Sequence, residues 1–171
     1  MKKENDIKFL DMTREHFDEY MCKIYPKQFR ERNMDMTQTC MCWGFDIGCG
    51  WYELLDEMCS KINEVHKKTG IFPVFTQIKE KFGGGRFYYD IDNSESAIDK
   101  EMEGFIIEYI DMIISRAENE AEHTCETCGK WIYKTLNCYG WVYALHPECY
   151  KKVFPDRELP KQYIKENKNE N

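Results

Sequence analysis

The chain lacks any uninterrupted apolar stretch approaching the roughly 18 residues of a membrane-spanning helix, which excludes a helical membrane span. Its opening residues, MKKENDIKF, also lack the apolar run of a secretory signal, so the cytoplasm is the expected compartment. Positive charge is in deficit. Lys and Arg number 24 against 31 Asp and Glu, and a formal net charge of -7 argues against a protein that coats nucleic acid through its overall field. Also missing are the G-x-x-x-x-G-K-[ST] phosphate loop, a motif pairing His16, His66 or His123 with a nucleophilic Ser or Cys, and any internal repeat. An enzyme is therefore the least supported class.

Cysteine, by contrast, is plentiful: nine in 171 residues. In a reducing compartment these are thiols or metal ligands rather than disulfides. Cys125-Glu-Thr-Cys128 and His146-Pro-Glu-Cys149 form the pattern C-x2-C-x17-H-x2-C, two pairs whose short internal spacing lets both members reach one tetrahedral ion. Three thiolates and one imidazole select Zn2+ over calcium or magnesium, and four protein ligands leave no open position, so the expected role is structural. Cys138, between the pairs, is an alternative fourth ligand in place of His146. Cys40, Cys42, Cys49 and Cys59 raise the question of a second site, but their spacing is irregular and Cys59 falls on an apolar helix face.

Along the chain, residues 1–12 are read as a flexible N-terminus and 13–123 as one α+β domain. Residues 124–155 are read as a zinc module and 156–171 as a flexible tail. Thr13 offers an N-cap to a first helix that Pro26 stops. Trp51, Leu54, Leu55, Met58, Cys59, Ile62 and Val65 mark one face of a second helix that ends at Gly70. Residues 72–82 and 86–91 alternate like strands and predict an antiparallel hairpin across Gly83-Gly84-Gly85. Asp92, Asn93 and Ser94 then offer caps to a long helix reaching about Glu120. The expected architecture is α+β: a two-stranded or slightly larger antiparallel sheet packed by two main helices, covered by them or by an additional strand from the Cys-rich loop, followed by a treble-clef-like zinc module.

Two segments invite a binding role. Trp43 and Trp51 flank a glycine-rich loop that either lines a pocket or covers the core. Alternation puts Lys79 and Lys81 on one strand face with Arg86 just past the turn and Tyr88 beyond it, and a glycine turn can aim N–H groups at an anion. A nucleotide-like ligand would use the two tryptophans and Tyr88 for stacking and the three basic groups for phosphate.

The segments MTQTCMCWGFDIGCGWYELLDEMC, FTQIKEKFGGGRFYYD, TCETCG and GWVYALHPEC resemble a family of small uncharacterised tailed-bacteriophage and prophage proteins. The similarity spans roughly residues 20 to 150. The family pattern ends in Cys-x-x-His, whereas this chain has His146 before Cys149. Cys49 stands where the pattern has an acidic residue, and Gly85 where it has a larger one. Exchanging the last two ligands preserves the Cys3His set. The resemblance implies a phage setting but no activity. The leading expectation is a non-enzymatic accessory or host-defence-antagonising factor that binds a host protein in the host cytoplasm. A small-anion-binding protein is the alternative, and a nucleic-acid-binding zinc protein is third.

Overall fold

The computed structural model describes residues 8–164. The first helix, α1 (Arg14–Ile24), starts where expected: the Thr13 hydroxyl accepts the His16 N–H, and Phe17 and Met21 turn inward. Of the N-terminus predicted to be flexible, residues 1–7 lie outside the described residues. Phe9–Asp11 forms a 3-10 turn, however, and the Phe9 ring packs edge-on against Phe17 and Tyr20 at 6.1 and 5.7 Å. Two aromatic partners are enough to order it.

Residues 27–50 contribute Phe29, Met41 and Phe45 to the core and supply a two-residue strand, β1 (Phe45–Asp46). Next comes α2 (Tyr52–Thr69), which buries Tyr52, Leu55, Met58, Cys59 and Ile62. Gly70 closes it at φ +77°, a conformation that glycine adopts without strain.

The hairpin pairs β2 (Phe72–Lys81) with β3 (Gly84–Asp92). Its turn is narrower than expected. Phe82 and Gly83 are its central residues, both with positive φ (56° and 74°), so Gly84 and Gly85 belong to β3. A bulge between Phe75 and Gln77 resets the alternation, after which Ile78 and Phe87 face the core.

β1 lies on the other side of β2, pairing Phe45 with Ile78 and Asp46 with Lys79, and it runs parallel. The sheet is therefore mixed, not wholly antiparallel as expected. α2 is a crossover between β1 and β2, and a crossover connection permits the parallel pairing that a tight turn cannot make.

The long helix α3 (Lys100–Glu122) starts later than expected. The Asp92 carboxylate accepts the Ser94 N–H and hydroxyl and turns the chain there, while Asp99 caps the helix by accepting the Met102 N–H at 2.9 Å. Ile110, Ile114, Ala117 and Ala121 form its buried face.

Residues 124–164 carry β4 (Leu136–Cys138), β5 (Trp141–Tyr143), α4 (Pro147–Val153) and α5 (Lys161–Ile164). Their apolar residues join the same core cluster as the rest of the chain. The tail predicted to be flexible from residue 156 is docked as far as it is described. Leu159 and Tyr163 are buried, and the Tyr163 hydroxyl accepts the Asn137 N–H at 2.8 Å. Two apolar side chains in a polar stretch hold it down; residues 165–171 lie outside the described residues. Among the described residues, no helix is long and apolar enough to cross a membrane.

Candidate metal centre and hairpin face

Cys125 and Cys128 sit on a tight turn that begins after Thr124, which bridges to Trp131. Inside it the Gly129 N–H reaches the Cys125 carbonyl at 2.9 Å and the Cys125 N–H reaches the Lys130 carbonyl at 2.8 Å, with Gly129 at φ +67°. The β4–β5 hairpin then returns the chain, and His146 is the N-cap residue of α4, with Pro147 in the first turn and Cys149 two positions on. Turn and helix start face each other, and the ligand atoms of Cys125, Cys128, His146 and Cys149 all lie within 4.8 Å of one another.

The donor set fits a soft or borderline cation. Cys128 Sγ and His146 Nδ1 are 3.4 Å apart, and on the far side of the ring Nε2 lies 3.0 Å from the Trp131 carbonyl. Donation from Nε2–H to that carbonyl leaves the Nδ1 lone pair turned toward the sulfurs, the orientation a metal-bound imidazole uses. Burial pushes the Cys125 thiol up, but backbone N–H groups of His146, Cys128 and Thr127 outweigh it and bring it to about 7. Burial and the neighbouring Cys125 and Cys128 sulfurs push the Cys149 thiol up to about 12. Three sulfurs in such proximity cannot all ionise unaided, and a divalent cation among them reverses that balance.

Cys138 is buried in β4 and is not among the clustered ligands, so the swap with His146 is not made. Cys40, Cys42 and Cys49 do not form a second cluster among the described residues. Cys49 instead donates to the Thr127 carbonyl at 3.3 Å, beside the first one.

The glycine-rich loop before α2 serves the metal turn directly. A Cβ on Gly48 would lie 2.3 Å from the Glu126 carbonyl oxygen, and one on Gly50 would lie 2.2 Å from that of Cys125. The Gly50 N–H donates to the Glu126 carbonyl at 2.8 Å, and the Gly48 N–H to Glu126 Oε1 at 2.9 Å. Trp51, fully buried, completes the joint by donating its Nε1–H to the Thr124 carbonyl at 2.7 Å. Trp51 is thus withdrawn from the ligand site proposed for it. Gly-x-Gly-Trp was the visible signal of a close backbone approach; which backbone approached was not readable from the motif.

Trp43 stands 62% exposed and lines a separate depression of about 600 Å³ with Arg14, Asp18 and Arg32. Lys79, Lys81, Arg86 and Tyr88 do share the outward face of the hairpin: Lys79 pairs across the strands with Arg86, and its ammonium lies 5.3 Å from the Tyr88 ring. Part of that face is already engaged within the protein. Arg86 is 3.3 Å from Glu122, Asp46 is in register with Lys79, and the Gly83 N–H is taken by Glu80 Oε1 at 2.6 Å. The turn glycine serves packing instead, since a Cβ on Gly83 would lie 2.9 Å from the Thr135 methyl.

No protein-family model matches the chain, and no curated protein or solved structure matches it.

Proposed function

We propose that the chain is a zinc-stapled, non-enzymatic binding protein that acts on a host protein, as an accessory or counter-defence factor in the phage setting its motifs suggest. Zinc is the natural occupant of a Cys3His set with Cys125, Cys128, Cys149 and His146 Nδ1 as donors, and it would tie the metal turn to α4 in a treble-clef-like arrangement. Four protein donors supply cohesion, not an open coordination position for chemistry.

One observation carries the binding reading. Phe82 occupies the first central position of the β2–β3 turn at φ 56° while keeping 72% of its surface in water. Gly, Asn or Asp would hold that backbone with less strain, and a polar side chain would be better solvated. A strained, exposed aromatic ring at a hairpin tip is disfavoured twice over in the free protein, and contact with a partner offsets both costs. Trp43, Trp131, Tyr133 and Trp141 are exposed as well, the residue types that dominate protein–protein hot spots. The competing small-anion reading is left with a basic face on which Arg86 already has Glu122 beside it.

The test is affinity purification of the tagged full chain from host cells, with mass spectrometry of both proteins and small molecules and a metal assay of the purified chain. A stoichiometric host protein that is lost with Phe82→Asn, together with one zinc per chain, is the expected result. Retained nucleotide and no protein partner would overturn the binding-protein reading.

A further inference from the structure

On their outer side α2 and α3 leave a groove of about 790 Å³ between them. Buried Met58 and Ala117 and half-buried Leu54 and Ile113 line it, and the metal turn at Gly129 closes one end. The apolar surface does not stop at the groove. Met102, Phe105, Tyr109 and Met112 follow one another at i, i+3, i+7 and i+10 along α3, each between 46% and 59% exposed. Ten residues of helix span about 15 Å. A small molecule in the hollow would leave Met102 and Phe105 bare, whereas a helix laid along α3 would cover the stripe and seat its anchors in the hollow.

The charges around this surface select the kind of helix. Asp11, Glu53, Glu57 and Glu120 line the groove against Lys8, Arg116 and a Lys61 that is 3.6 Å from Glu57, and Glu101 and Glu108 are exposed further along α3. The balance is acidic. An anionic membrane surface is repelled by it, and a second copy would bring the same glutamates face to face. Methionines on both walls suit side chains that must adapt to a partner.

We propose that the α2–α3 groove and the α3 stripe together bind an amphipathic helix of a partner protein, one with basic residues flanking its apolar face. The proposal rests on the protein-binding reading above and gives it a second contact surface, apart from the Phe82 turn.

The direct test is fluorescence anisotropy of the zinc-loaded full chain with a labelled 18-residue Leu/Lys amphipathic peptide and its Leu/Glu counterpart. The Leu/Lys peptide is expected to bind at least tenfold tighter than the Leu/Glu one. Phe105→Glu and Met112→Glu should each weaken it at least tenfold, while Val153→Glu, exposed at the end of α4, changes it less than twofold. Both groove variants replace exposed residues, and unchanged circular dichroism checks that they fold. In the unsubstituted chain, methyl resonances of Met58, Met102 and Met112 should shift on titration while those of core Met21 and Met41 stay. Equal affinity for the two peptides, full affinity in both Glu variants, or shifts confined to other methionines would overturn the proposal. So would a concentration-dependent dimer abolished by Phe105→Glu, because the groove would then belong to a second copy. A host protein recovered equally by wild type and Phe105→Glu would leave the binding function standing and remove the groove from it. Recovery of none would remove the function itself, with the peptide titration still deciding the groove.

Discussion

Replacing Gly50 by alanine should uncouple the metal turn from the body of the protein. An added methyl would meet three backbone atoms, the Cys125 oxygen at 2.2 Å, the Glu126 carbonyl carbon at 2.7 Å and the Gly129 nitrogen at 2.7 Å. None of these can rotate away as a side chain end can, so the two segments must part. Three N–H hydrogen bonds cross that joint alongside the weaker one from the Cys49 thiol to Thr127 O: Gly50 N–H to Glu126 O, Gly48 N–H to Glu126 Oε1, and Trp51 Nε1–H to Thr124 O. At about 0.5–1.5 kcal/mol each, their loss predicts a cost of about 2–4 kcal/mol. For a chain of this length that corresponds to a fall of roughly 5–15 °C in Tm. Thermal and urea unfolding of the full chain, with metal supplied, give the number, and Gly140→Ala is the matched control. Gly140 has φ +85° and nothing within 4 Å of an added Cβ, so only backbone strain of about 1–2 kcal/mol is at stake there. A Gly50→Ala protein within about 0.5 kcal/mol of wild type would refute the close-approach reasoning, a threshold set by ordinary surface substitutions.

Gly104→Ala should have the opposite sign. It lies within α3 with nothing near an added Cβ, so alanine's helix preference should stabilise the protein by about 0.5–1 kcal/mol in urea denaturation. Exhaustive chelation should unfold residues 124–164, because a Cys3His zinc site contributes an apparent 10–16 kcal/mol or so at neutral pH; near-UV circular dichroism of Trp131 and Trp141 is the readout, and an unchanged spectrum would contradict it. Cys149→Ala should abolish metal binding, whereas Cys138→Ala should leave one metal per chain by mass spectrometry. Hydrogen bonds from the Ser94 hydroxyl and N–H, with Arg30, hold the Asp92 carboxyl down at about 2 from an ordinary 3.8. Its folded value is depressed, so its contribution is complete above about 3.8 and is lost as pH falls toward 2. Asp92→Asn should flatten the pH dependence of urea stability in that window, and an unaltered slope would count against the bonds.

Features set by near neighbours were legible. The Thr13 cap, the apolar face of α2, the Gly70 stop and the presence of two paired strands each depend on residues within a few positions, and each is where the pattern puts it. Errors arose where one local signal competed with another. Asp92 and Asp99 are both sound caps, and only the Asp92–Ser94 turn decides between them. Among Gly83, Gly84 and Gly85 the turn falls earlier than their centre, because Phe82 accepts positive φ and the strand register must bring Lys79 opposite Arg86.

The sequence by itself picked out the four residues whose donor atoms cluster, since C-x2-C and H-x2-C each place two of them within a single turn of chain. It also determined the main helices, through periodicities that any chain obeys locally. Tertiary structure alone decided that Trp51 and the loop glycines seat the metal turn, that Glu122 faces Arg86, and that β1 runs parallel to β2. It also decided that Met102, Phe105, Tyr109 and Met112 stay uncovered beside a groove. Contacts between residues far apart in sequence leave no periodic trace, so a buried tryptophan and an exposed one, or a paired arginine and a free one, look alike until the chain is folded.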